Sequence, residues 1–108
     1  MSDYKIKVLT LRPDSKRPTM TSISPNLENL QRYVGGYIEI VHICADFVVI
    51  CNEEGRIGDY KYTCDIFGTP FFGNLIFCGE KKGELCDIPI DYKEAKRILP
   101  SLWKEEKK

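Results

Sequence analysis

The chain of 108 residues predicts an α+β domain, a mainly antiparallel sheet of five or six strands with two short helices. Three observations carry that expectation. Residues 4–8 alternate tyrosine or aliphatic with lysine, the period of a strand with one wet face. Leu27, Leu30 and Val34 recur at helical spacing just before Gly35-Gly36. Residues 47–51 and 75–78 are continuous apolar runs, far too short to cross a bilayer and of the length of buried strands. One domain of this size builds a core without disulfides or a structural metal.

The elements follow in order. After the first strand, the turn material of residues 12–18 predicts a hairpin returning through 20–24. Ser24-Pro25 reads as a hydroxyl N-cap with proline at the first helical position, so a helix is expected over 25–34. Its buried stripe is Leu27, Leu30 and Val34, and Gly35 closes it in the left-handed conformation. Residues 37–44 are rich in β-branched side chains, Asp46 ends them, and 47–51 returns as an antiparallel partner. Asn52-Glu53-Glu54-Gly55 is a turn with glycine fourth. Residues 56–67 alternate irregularly. Gly68-Thr69-Pro70 and Gly73-Asn74 bracket Phe71-Phe72, then 75–78 forms a strand and 79–83 a lysine-bearing hairpin tip. A last short strand over 85–90 is confined by Pro89 to an edge or an ending. Asp91 and Glu94 stand at capping-box spacing ahead of Tyr92, Ala95, Ile98, Leu99 and Leu102. Pro100 breaks or restarts that helix, Trp103 folds back onto the sheet, and 104–108 is a solvated tail.

Composition narrows the function classes. Sixteen basic and sixteen acidic residues cancel, which argues against a general nucleic-acid binder. The charge is unevenly placed: residues 1–20 carry five basic groups to two acidic, residues 93–108 six to three, and residues 26–59 two to six. That segregation is either ordinary surface scatter or complementary faces on two subunits. The five cysteines are odd in number, contain no CxxC pair and have only His42 to supplement them, so reduced thiols and no metal site or other cofactor are expected. Cys44, Cys51 and Cys78 lie in apolar runs, where cysteine acts as a small hydrophobe. The N-terminus lacks the apolar stretch of a signal peptide, so the cytosol of the producing cell is the expected compartment.

Val34-Gly35-Gly36-Tyr37-Ile38-Glu39, with Asn52-Glu53-Glu54-Gly55 beyond it and a late Gly68…Gly73 segment, resembles a family of small proteins of unknown function borne by phages and plasmids. The resemblance spans roughly residues 4–99. It departs at 59–65, where many relatives carry a leucine, proline and asparagine stretch. It implies no chemistry. It implies a mobile-element origin and a binding protein that counters host defence in the host cytosol, by sequestering a small nucleotide-like signal or occupying a host defence protein. The alternative is a protein–protein regulatory module with no small-molecule site.

The candidate ligand or partner residues are Tyr37, Glu39, Asn52, Glu53, Glu54, Thr69, Phe71, Phe72 and Asn74. Glu53 and Glu54 in an exposed turn lack the burial that tunes a catalytic carboxylate pair, and a contact with a basic partner suits them better. The 68–74 segment reads either as a lid with aromatic faces for stacking a base or as phenylalanines closing the core. Gly35-Gly36 sits at the helix end that repels anions, whereas Ser24 and Asn26 stand at the end that attracts them. His42 reads as a strand residue, and no nucleophile motif occurs, so no enzyme activity is expected. A small domain with little concavity and exposed strand edges is expected to form a symmetric homodimer and to build its binding surface there.

Overall fold

The computed structural model describes residues 4–104. Its strands are β1 (Ile6–Leu11), β2 (Thr19–Ile23), β3 (Ile38–Cys44), β4 (Phe47–Asn52), β5 (Tyr62–Ile66), β6 (Thr69–Phe72), β7 (Leu75–Lys81) and β8 (Glu84–Cys86), with helices α1 (Leu27–Val34) and α2 (Tyr92–Ile98) and a 3₁₀ turn at Pro100–Leu102. Six strands form one antiparallel sheet in the order β2-β1-β7-β4-β3, with β8 pairing the end of β7, and β5-β6 make a separate hairpin. The expected α+β class holds.

The sheet has two buried faces, which is why β4 and the front of β7 are apolar throughout. Leu9, Leu11, Phe47, Val49, Cys51, Leu75 and Phe77 point to one side, where the β5-β6 hairpin, α2 and Trp103 cover them. Ile6, Val8, Val48, Ile50, Ile76 and Cys78 point to the other, where Leu30 and Val34 of α1 cover them. Since α1 is only eight residues long, it shields part of that second face and leaves the β1-β2 portion uncovered beside it.

Several expectations need correcting. Asn26 rather than Ser24 is the N-cap of α1: its side chain accepts from the Asn29 N–H at 2.8 Å, while the Ser24 hydroxyl donates to the Tyr4 carbonyl at 3.2 Å. Leu27 is exposed because it opens the helix at its outer end, and Tyr33 packs against the core in its place. The 68–74 segment is strand β6 between tight turns, pairing with β5 through Phe71↔Cys64 and Thr69↔Ile66. The hairpin tip after β7 is Lys82-Gly83, both left-handed, since the strand itself runs on to Lys81. Cys44 is exposed at the end of the edge strand, whereas Cys51, Cys64 and Cys78 are buried. All five cysteines are free thiols.

The C-terminal segment behaves largely as its sequence suggests. Asp91 caps α2 by accepting from Glu94 N–H at 2.8 Å, Pro100 restarts the chain as the 3₁₀ turn, and Trp103 is buried edge-on to Tyr92 with ring centroids 5.3 Å apart. Lys104 is no part of a solvated tail: its N–H donates to Lys16 and its ammonium to the Pro13 carbonyl at 3.0 Å. The Tyr92 hydroxyl donates to the Pro18 carbonyl at 2.9 Å. These bonds strap the C-terminal segment across the β1-β2 loop. Residues 105–108 of the expected tail lie outside the described residues.

Candidate functional site

The uncovered portion of the sheet and the flank of α1 enclose an open cleft of about 940 Å³. Its floor is the residue set that β1, β2 and β7 turn to that face: Thr10, Thr19, Thr21, Ile23 and Ile76. Pairing puts Thr10 opposite Thr19 and Ile6 opposite Ile23, so hydroxyls line the cleft where an apolar core would otherwise continue. The helix supplies Asn29, Arg32 and Tyr33, and the flanking loops supply Arg12, Ser15, Ser24 and Asn74. Lys5 stands at the far end.

Hydrogen bonds hold this wall in place. Asn74 Nδ2 donates to the Tyr33 carbonyl at 2.9 Å, and Asn29 Nδ2 donates to the Ser24 carbonyl at 3.1 Å. Arg32 donates to Asn29 Oδ1 at 3.1 Å, and the Arg12 guanidinium sits 5.8 Å from the centroid of the Tyr33 ring. Three cations therefore line the cleft, and among the described residues no carboxylate lines it. Arg32 also pairs with Glu28 at 3.6 Å, and both side chains are so exposed that solvent screening leaves the pair weak. Charge, hydroxyls and a half-buried ring suit a polar anionic ligand of small-molecule size.

Of the nine residues singled out in the sequence, only Asn74 lines this cleft, and its amide is the one that braces Tyr33. Glu39, Asn52, Glu53, Thr69, Phe71 and Phe72 do come together, around a groove of about 400 Å³ on the opposite side of the sheet. Phe71 is core, as one reading of the 68–74 segment has it, and half-buried Phe72 meets the Tyr62 ring edge-on at 5.9 Å. Cys51 lies under that groove, its thiol pushed up to about 11 by burial, with Glu39 adding to the rise and Arg56 opposing it. Tyr37 and Glu54 border a third recess of about 320 Å³ with Asn52 and Tyr60.

Asn52 explains why Gly35-Gly36 and Asn52-Glu53-Glu54-Gly55 occur together. It is 4% exposed, and its amide donates to the Val34 carbonyl at 3.1 Å and to the Tyr60 hydroxyl at 2.9 Å. Its oxygen accepts from Glu54 N–H at 2.7 Å. Val34 is the last residue of α1, whose carbonyl has no partner within the helix, so the turn after β4 caps the helix from outside. Gly35 takes φ 84° to end the helix, and Gly36 lacks a side chain because a Cβ there would stand 2.8 Å from Asn52 Nδ2. The two motifs form one lock that fixes α1 against the sheet and thereby fixes the wall of the cleft.

The cleft residues escaped sequence reasoning because they are spread over three strands, a helix and the flanking loops and together form no spaced motif. The signal that was present is the basic excess of residues 1–20, joined to the polar N-terminus of the first helix. Among the described residues no group of three or more His, Cys, Asp or Glu side chains is placed to hold a metal ion, and no helix is long and apolar enough to cross a membrane.

The chain belongs to the family described as a domain of unknown function (DUF3846), whose profile matches residues 6–98. The expectation of a family without assigned chemistry holds at that level. No curated protein and no solved structure matches the chain.

Proposed function

We propose that this protein is a non-enzymatic binding protein that captures a small nucleotide-like anion in the cleft between α1 and the β1-β2 face. The observation that carries the reading is the presence of Lys5, Arg12 and Arg32 along one hydroxyl-lined cleft of ligand size without a carboxylate among the described lining residues. Guanidinium and ammonium groups bind phosphate, hydroxyls and side-chain amides bind sugars and base edges, and the Tyr33 ring offers a face. Sequestration needs only affinity, and nothing in this arrangement requires bond chemistry. The resemblance of the Val34–Glu39 and Asn52–Gly55 motifs to mobile-element proteins supports a role in countering host defence, and the free thiols suit a reducing cytosol.

Titration of the purified protein with a panel of nucleoside mono-, di- and triphosphates and dinucleotides, followed by calorimetry, tests the reading. Saturable binding that Arg12→Gln and Arg32→Gln weaken supports it. A folded protein that binds no member of the panel refutes it.

A second reading, docking onto a host protein, has its own observation. Phe67 stands at the tip of the β5-β6 hairpin with φ 49° and 68% exposure, and Thr69 and Pro70 just beyond it are exposed too. A bulky residue in the left-handed region is uncommon, and an exposed ring adds nothing to folding. A partner that receives the ring would explain the choice. We also propose a homodimer that pairs the free edge of β3, whose Ile40 is exposed, across a two-fold axis. That edge lies at the opposite end of the sheet from β2, so each copy keeps its own cleft.

A further inference from the structure

We infer that the cleft is built for a short phosphodiester-linked oligonucleotide, linear or cyclic, rather than for a mononucleotide or a long strand. The inference rests on the proposed function of the cleft and specifies its ligand class. The cations stand at separate stations. Lys5 precedes β1, beside Ser24 and the start of α1, while Arg12 follows β1, over the Tyr33 ring near the end of α1. The six residues of β1 stand between their backbone positions, seven steps or roughly 23 Å at the rise of a β-strand. A single phosphate held at one station leaves the cation of the other without a counter-charge. Two phosphates separated by a nucleoside serve both.

The residues between the stations match what lies between two phosphates. Thr10 and Thr21 present hydroxyls, Asn29 presents an amide, and Tyr33 with Arg12 offers a ring and a guanidinium plane for a base to stack on. Arg32, in the last turn of α1 beside Tyr33, adds a second cation to the Arg12 station.

Both ends of the cleft are bounded by chain. The short connection between β2 and α1 borders the Lys5 end through Ser24. The β1-β2 loop with Ser15 bounds the Arg12 end, strapped from behind by the Lys104 and Tyr92 bonds to Pro13, Lys16 and Pro18. Connecting chain thus borders the cleft at both ends, which suits a ligand of two to a few nucleotides better than a polymer running through it. Zero net charge over the whole chain agrees with a local phosphate site and not with binding along a polymer.

The test is fluorescence-competition and calorimetric titration of the full chain with separate probes: all nucleoside monophosphates, ATP and GTP, all linear 5′-phosphorylated dinucleotides, the cyclic dinucleotides, a long mixed-sequence single-stranded DNA and an oligoglutamate peptide. At least one dinucleotide is expected to bind tenfold or more tightly than any monophosphate or triphosphate. Lys5→Gln and Arg12→Gln, each checked for native circular dichroism, are both expected to reduce that affinity at least tenfold, and each to lower the salt slope of binding by about one. Equal affinity for mono- and dinucleotides, or loss on Arg12→Gln with no effect of Lys5→Gln, overturns the two-station inference while leaving the cleft as a nucleotide site. Preference for the long DNA overturns the closed-ended inference, and preference for oligoglutamate overturns the ligand class. No binding of any probe by folded protein removes the proposed function itself.

Discussion

Replacing Gly36 by alanine introduces one carbon, and its cost is expected to come almost entirely through Asn52. A Cβ at residue 36 lies 2.8 Å from Asn52 Nδ2, closer than real Cβ contacts allow. The amide must swing away and give up its bonds to the Val34 carbonyl and the Tyr60 hydroxyl. At a net worth of about 1 kcal/mol each, Gly36→Ala costs about 2 kcal/mol. Asn52→Ala removes those two bonds and the one from Glu54 N–H, about 3 kcal/mol, and strands the last carbonyl of α1. In the Asn52→Ala background the new methyl enters vacated space, so Gly36→Ala there costs almost nothing. The double mutant is thus about as stable as Asn52→Ala alone, a coupling of roughly 1.5–2 kcal/mol. Urea unfolding of the four proteins, with unchanged m values, measures it. Additivity within about 0.5 kcal/mol refutes the lock, because it means the two residues do not share a contact.

Three further outcomes are expected. Phe67→Asn puts the residue that type I′ turns prefer before Gly68, so it raises stability by up to about 1 kcal/mol, on the order of 4–8 °C in melting temperature. A fall in melting temperature shows that the ring packs within the fold. Burial pushes the Cys64 and Cys78 thiols up to about 12 and Cys51 to about 11. A thiol reagent at pH 8 therefore modifies Cys44 and Cys86 first and reaches the other three only on unfolding. The native thiols hold their protons more tightly than the unfolded ones, so their contribution is intact below about pH 9 and is lost as pH rises toward 11–12. Melting temperatures that stay flat through that window contradict it. Sedimentation is expected to give about twice the chain mass of 12.5 kDa, reverting to the monomer with Ile40→Lys. A wild-type monomer at micromolar concentration removes the β3-edge dimer.

The sequence made the elements legible where a local pattern decides them. The lysine alternation of β1, the apolar runs of β4 and β7, the Gly35 stop and the Asp91 cap all appear as expected. It failed where two elements compete for one role. Ser24 and Asn26 both offer a capping oxygen, and only the path of the backbone lets Asn26 reach Asn29 N–H. The turn residues around β6 concealed a strand because Phe67-Gly68 forms a two-residue hairpin tip in which a phenylalanine occupies the position usual for asparagine. The site was less legible than the fold. Asn52 looked like a ligand residue because a polar side chain in a glycine-flanked turn suggests an exposed surface, and its burial depends on a helix end eighteen residues upstream. Arg12, Thr21 and Tyr33 belong to three elements whose meeting is a matter of tertiary packing alone.

The central claim is that the α1/β1-β2 cleft, and not the Glu39–Phe72 groove or the Phe67 tip, is where this protein holds its ligand. The most direct measurement is amide chemical-shift mapping on isotope-labelled protein titrated with the tightest binder of the nucleotide panel. The cleft account predicts saturable shifts that cluster at Thr10, Arg12, Thr21, Asn29, Tyr33 and Asn74, with Glu53, Thr69 and Phe72 unmoved. Shifts that cluster instead around Glu39, Glu53, Thr69 and Phe72 would contradict it and place the ligand on the other face of the sheet.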